Sequence, residues 1–419
     1  FDLAWARAVT SLRTELSRIR EDLVAQARAR ATTVDDKHRC DIIEVELATR
    51  QGRHDDAVAL LQSAPNLDDP DVPAWRALKA ARVRLDQGLP AEARKHLRGT
   101  EVLGAHPNRA LVGIDLALLE GRADTALEGC RQAIARGGLN QSEPYLGVIL
   151  LRRGWGLLAI GDRVGATQAA HRAEALLAKH GHRGRHTEAQ HLVALLALGR
   201  GQPRAARLLL DPMITAARSF GLSHLHTLGS ALKLRVAAAM NDKVAARSIM
   251  SASSREEQDS SPDWRLSQAR WHRSQRNLDQ AVAVAKWDHP KNPAQVFLSI
   301  ESARLLLAAG DTGSASAIIK ETLDVCEDKN YRELASLAAL VRGGLGGFEE
   351  DEWQHVLHKA RSSPWVELSL TALAMAGKRQ LKQGQKEAAR ASFKTLLQRA
   401  DHLDHHYHRV VANEVLVTL

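Results

Sequence analysis

Two sets of residues in this chain have types and spacings that chemistry can use. The first is a histidine-rich run, His402, Asp404, His405, His406 and His408, in which His402 and His406 stand one helical turn apart. That spacing lets two imidazoles share a divalent ion, but a closed site also needs a third and fourth ligand and hydrogen bonds behind them. An exposed polar helix is the simpler expectation, and no metal is assigned. The second set is periodic. Glu46, Arg82, Asp115, Trp155, Leu195, Arg235, Arg270, Arg304 and Lys378 each stand six residues before a recurring turn signal. From Arg235 onward every well-aligned member is cationic. Such a ladder suits an acidic peptide, or a phosphate backbone, through charge-assisted hydrogen bonds. The alternative is that these arginines pair with neighbouring acids such as Glu301. Trp155, with Trp264 and Trp271 in a later stretch, offers flat faces to a ligand or, more simply, packs between helices.

The motifs of common catalytic sites are missing. There is no H-E-x-x-H: His186 and His191 are five apart with Glu188 misplaced between them. No G-x-x-x-x-G-K-[ST] loop and no G-x-S-x-G elbow occurs, and the Gly343–Gly347 stretch lacks both a preceding strand and dinucleotide spacing. The chain is not expected to be an enzyme, and no cofactor is expected.

The elements that must position these residues are set by a glycine-to-alanine step of five. It occurs at Gly52/Ala57, Gly88/Ala93, Gly121/Ala126, Gly161/Ala166, Gly201/Ala206, Gly310/Ala315 and Gly384/Ala389. Asn241/Ala246 and Arg276/Ala281 keep the alanine and lose the glycine. From Gly52 to Gly310 the turn residues are spaced by 36, 33, 40, 40, 40, 35 and 34. One helical hairpin per period makes a stacked solenoid. The second unit shows why. Trp75, Leu78, Ala81 and Leu85 form one helical stripe, Gly88 supplies the backbone freedom that ends it, and Pro90 opens the next helix. Ala93 then falls where two helices cross, and a small side chain lets the backbones approach.

Composition agrees with an all-α chain. It is 44% hydrophobic and only 4% aromatic, rich in the helix formers Ala, Leu and Arg. The net charge of +9 favours acidic partners, whether protein, nucleic acid or anionic membrane, although 49 acidic residues are interspersed with 58 basic ones. The few aromatics argue against a stacking platform for single strands. Cys40, Cys130 and Cys326 are far apart, so neither a disulfide framework nor a zinc knuckle follows, and Cys130 is expected to be buried. The apolar stretch Val148–Ile160 is broken by Arg152 and Arg153 and is too short to span a bilayer. A cytoplasmic protein with no membrane partner is expected. Because it starts at Phe1, it reads as a piece of a longer protein.

Three segments follow. Residues 1–37 read as a helical cap or join, 38–400 as the repeat array, and 401–419 as a closing helix. Gly343–Gly347 marks a degraded hairpin whose alanine position is Glu349, and Ser251–Ser261 reads as a long exposed loop. His180, His182, Arg183, Arg185 and His186 read as a basic loop.

The spacing of Gly384, Ala389 and Phe393, with a small residue seven positions before several turns (Ala81, Gly154, Ala303, Gly377), resembles the tetratricopeptide repeat. The resemblance covers roughly residues 38 to 400. The aromatic of the first helix and the closing proline are mostly missing. The 40-residue periods are similar to the longer variant found in regulatory arms of bacterial signalling ATPases and transcription activators. It implies a right-handed α-solenoid of nine to ten hairpins whose first helices line a concave groove. It also implies a protein- or peptide-binding regulatory or scaffold arm, with Arg82, Trp155, Arg235, Arg270, Arg304 and Lys378 as groove contacts. Nucleic-acid binding by the same groove, and a purely structural oligomerisation arm, are the alternatives.

Overall fold

The computed structural model describes residues 21–50, 53–63, 71–104, 106–137, 143–254, 261–286, 290, 293–403 and 405–419. Among these residues there are 22 α-helices, one short 3-10 turn and no strand. Ten helix–turn–helix pairs follow one another, from Val34–Arg50 with His54–Ser63 to Val366–Lys382 with Lys386–His402, and the helix His406–Leu416 comes last. The chain is therefore an all-α stack of hairpins. None of these helices is long and apolar enough to cross a membrane. Gly52, Asp404 and most of the expected cap and of the Ser251–Ser261 loop lie outside the described residues.

The predicted turn chemistry is present. The turn residues adopt left-handed backbone, with φ of 91° at Gly310 and 75° at Gly384. Asn241 and Arg276, the two positions that lost the glycine, do the same, at 55° and 63°. In each hairpin the next residue closes the first helix with a bond to the carbonyl five residues back. Gln385 N–H donates to Gln380, Asp242 to Ala237 and Asn277 to His272, each at 2.9 Å. This is the six-to-one bond of a glycine-type helix stop, here made twice without glycine. All nine alanines of the step, Ala57 to Ala389, are at most 1% exposed.

Packing repeats as the turns do. Three successive apolar clusters each join a first helix, its second helix and the first helix of the following hairpin. The middle one unites Leu78, Ala81 and Leu85 with Ala93 and with Val112 and Leu116. The pattern recurs at Ala194–Ala239, Ala231–Trp271 and Leu266–Leu305. Nearest-neighbour burial of this kind is what lets a long repeat chain fold without one large core. The prediction for Trp75 needs correcting: it sits at the end of its stripe, 36% exposed, edge-on to His106 at 4.5 Å. The basic loop is also shorter than expected. A helix already begins at Arg183, and only residues 180–182 form the turn.

The degraded hairpin has its own solution. Its left-handed residue is Gly346, and Glu349 stands at the N-cap position of the second helix, with no side-chain cap bond, instead of lying at a crossing. The close approach is made by Trp353 over Gly343, where an added Cβ would lie 2.2 Å from the indole. A glycine–tryptophan exchange has replaced the alanine contact. The regular hairpin that follows uses a milder form, with the Phe393 ring lying over Gly377.

The chain divides into two compact units. The first comprises residues 1–156, 172–187 and 215–223; the second comprises 157–171, 188–214 and 224–419. Within the second unit, stacking is not limited to neighbours. Arg163 pairs with Glu333 at 2.8 Å and lies 4.6 Å from the Trp365 ring centre. Gly201 leaves room for Leu403, which an added Cβ would approach to 2.9 Å. The helix His406–Leu416 packs against the helix Pro262–Ser274. The later hairpins of this unit thus fold back on its earlier ones.

Candidate binding faces

In the first unit the periodic stripe is a ladder of alternating sign. Lys79 pairs with Glu46 of the preceding hairpin at 2.9 Å. Arg82 reaches Asp86 at 3.4 Å and also Asp115 of the following hairpin, and Arg152 from the hairpin after that bonds the same carboxylate. Burial alone would raise the pKa of Asp115, but Arg152 and Arg82 pull it down to about 2. The Arg82 side chain keeps 25% of its exposure, and Trp155, one turn beyond Arg152, is half-buried. The stripe is therefore organised and partly open to water, with cationic groups whose partners lie on adjacent first helices.

In the second unit the stripe is drawn inward. Arg270 and Arg304 share two fully buried carboxylates. Arg270 lies 3.2 Å from Glu301 and 3.0 Å from Glu367; Arg304 lies 3.1 Å and 2.7 Å from the same pair. The Tyr407 hydroxyl donates to Glu301 at 2.6 Å, and both guanidiniums lie under 6 Å from its ring centre. Arg235 and Arg270 flank Phe297, at 5.4 and 4.7 Å. Arg235 and Lys378 are half-buried at the margin of this cluster. Burial, reinforced by Arg270, brings the Arg235 pKa down to about 10; burial, reinforced by Arg273 and Arg304, brings Lys378 down to about 8. Arg235, Arg270, Arg304 and Lys378 thus meet in one unit, whereas Arg82 and Trp155 belong to the other.

Pairing with Glu301 was legible in the sequence; its depth was not. Glu367 and Tyr407 complete the cluster and were not singled out. A signal existed, since Glu301 and Glu367 are the sole acids of the helices Pro293–Ala309 and Val366–Lys382, each set in a mostly apolar stretch. An acid placed so is usually satisfied by a cation from elsewhere in the fold.

The histidine run also resolves into distinct places. His402 ends a helix in water, and the His406 Nε2–H donates to the Ser274 carbonyl at 3.2 Å. His405 and His408 are buried and meet through their Nδ1 atoms at 3.1 Å. With Glu367 they form a group whose ligand atoms all lie within 4.8 Å of one another. Charge decides how to read it. Two carboxylates already face two guanidiniums, so a divalent ion would add two uncompensated buried charges. The arrangement suits a hydrogen-bonded polar core instead: the His405 Nδ1–H donates to His408, whose Nε2–H is then directed at Glu367, 3.7 Å away. Burial lowers the pKa of both rings, His405 to about 4 and His408 well below its ordinary value.

Trp264 and Trp271, which the sequence left between ligand contact and packing, are both buried against Leu234, Ala237 and Ala238. Cys130 is fully buried, its pKa pushed up to about 12 by burial, and its thiol faces the Ile149 carbonyl.

No family model matches the chain, and no curated protein matches it. Among solved structures the chain is similar to a Rap protein complexed with competence and sporulation factor, at 12% identity over 87% of this chain and 97% of that one, with a TM-score of 0.46. It is similar to NprR in complex with its cognate peptide NprX, at 14% identity over 85% and 98%, with a TM-score of 0.44. A tetratricopeptide repeat protein from Parabacteroides merdae is similar at 16% identity over 64% and 99%, with a TM-score of 0.39.

Proposed function

We propose that the chain is a non-catalytic peptide- or protein-binding module that serves as the regulatory arm of a larger assembly. The observation that carries this reading is the stripe of the first unit. Successive hairpins deliver Lys79, Arg82, Asp115, Arg152 and Trp155 from their first helices. The result is a periodic, partly exposed run of charges with an indole at one end. Such a run complements an extended or helical peptide whose charges recur at the hairpin spacing, roughly 10 Å. Arg82 and Trp155 are the contacts assigned to that partner. Acidic groups on the peptide would compete for Arg82 with Asp115, so binding should weaken with salt.

The test is a peptide array probed with the full chain, followed by titration of retained sequences through tryptophan emission. The expected result is saturable binding that Arg82→Ala and Trp155→Ala each weaken by at least tenfold, with helicity unchanged. No saturable binding, or binding indifferent to both substitutions, would contradict the assignment.

A further inference from the structure

In the second unit the face that would hold a ligand is already covered, and the covering element is part of the chain. The helix His406–Leu416 buries Tyr407, His408, Val410, Val411 and Ala412. Arg409 lies 3.6 Å from Asp401 of the preceding helix, and further polar contacts reach the cationic stripe or residues beside it. Glu414 takes both terminal nitrogens of Arg273, one of them at 3.0 Å; His406 bonds the Ser274 carbonyl; Tyr407 bonds Glu301. Arg270 and Arg304 have Glu301 and Glu367 whether or not this helix is present. Arg273 differs, because among the described residues its ion pair is with Glu414 alone, and Glu414 is also the acid that favours the charge on Lys378.

We propose that helix His406–Leu416 is a tethered occupant of the second unit's inner face, and that an amphipathic helical peptide bearing one carboxylate displaces it by supplying the group now given by Glu414. This rests on the reading of the chain as a peptide-binding module, and extends it by naming a second face, its ligand class and its regulation. The chemistry required of the ligand is specific. It must place one carboxylate on the two terminal nitrogens of Arg273, and an apolar face where Val410 and Val411 now lie.

The experiment uses the full chain and, as probe, a synthetic peptide of residues 405–419 of this protein, so it does not depend on finding an outside partner. Hydrogen exchange is followed in wild type, in Glu414→Gln and in the charge swap Arg273→Glu/Glu414→Arg. The expected result is at least tenfold faster exchange of amides 406–416 in Glu414→Gln, with helices 366–382 and 386–402 unchanged and protection restored by the swap. The Glu414→Gln chain should also bind the wild-type peptide at least tenfold more tightly than the wild-type chain does. A Glu414→Gln version of the peptide should lose that gain. If 406–416 exchanges only together with 366–402, or if the variant gains no affinity for the peptide, the helix is a fixed part of the core and the proposal fails. Failure of the array screen with success here would sink the first-unit assignment alone.

Discussion

At the residue scale, both faces are built from paired charges, and breaking a buried pair is costly. Arg270, Arg304, Glu301 and Glu367 form a buried tetrad. Removing one partner leaves an uncompensated buried charge, so Arg304→Met is expected to cost about 3–5 kcal/mol. Urea unfolding monitored by circular dichroism measures it, and a loss under about 1 kcal/mol would mean that the tetrad is hydrated. Acid should act on the same place. The pKa values of His405 and His408 are lower in the folded chain than the ordinary imidazole value of about 6.5, and those of Glu301 and Glu367 are lower than the ordinary carboxylate value of about 4.3. For all four the unfolded chain binds protons first, so stability is complete above about pH 6.5 and falls as pH drops. The histidines act between about 6.5 and 4, and the carboxylates below that. Replacing both histidines by glutamine should flatten the upper part of the stability–pH curve; an unchanged slope would place the acid-sensitive groups elsewhere.

At the scale of the element, the hairpin turn is the unit of legibility. The glycine-to-alanine step located turns and crossings because each has one physical requirement, left-handed backbone at the first and a small side chain at the second. Asn241 and Arg276 satisfy the first requirement without glycine, which a pattern keyed to the residue type reads only through the alanine that follows. Arg276→Gly should therefore stabilise the chain and Gly310→Ala destabilise it, each by about 1–2 kcal/mol, because the left-handed region penalises an L side chain by that amount. Gly310 is a clean case, since an added Cβ there would meet nothing within 4 Å. Thermal unfolding of the two variants decides it, and equal shifts of the same sign would refute the turn argument. The degraded hairpin was less legible. Its close approach depends on Trp353 meeting Gly343 across two helices, a pairing between positions ten apart that no local spacing announces.

At the scale of the molecule, the sequence reads well wherever structure depends on neighbours and poorly where it depends on return. Ten hairpins, their clusters and the first-helix stripe all arise from contacts between consecutive units, so period and residue type were enough. The fold-back within the second unit comes from contacts such as Arg163 with Glu333, 170 residues away, and Arg273 with Glu414, 141 away. Nothing in a repeat pattern encodes those partners. They change the meaning of the stripe, because Arg270 and Arg304 are held among carboxylates while Arg82 and Trp155 keep access to water in the other unit. The excess of 9 positive charges is accordingly a poor guide to a nucleic-acid site, since the cations of the periodic stripe that define the two faces are largely matched by acids of the same unit. The central claim is that a peptide is held by the first helices. Hydrogen exchange of the full chain, with and without a saturating peptide from the array, tests it most directly. Slowed exchange concentrated in helices 71–86, 107–119 and 143–159 is the predicted result. Slowing confined to second helices such as 90–98 and 123–137 would contradict it, as would no slowing at all.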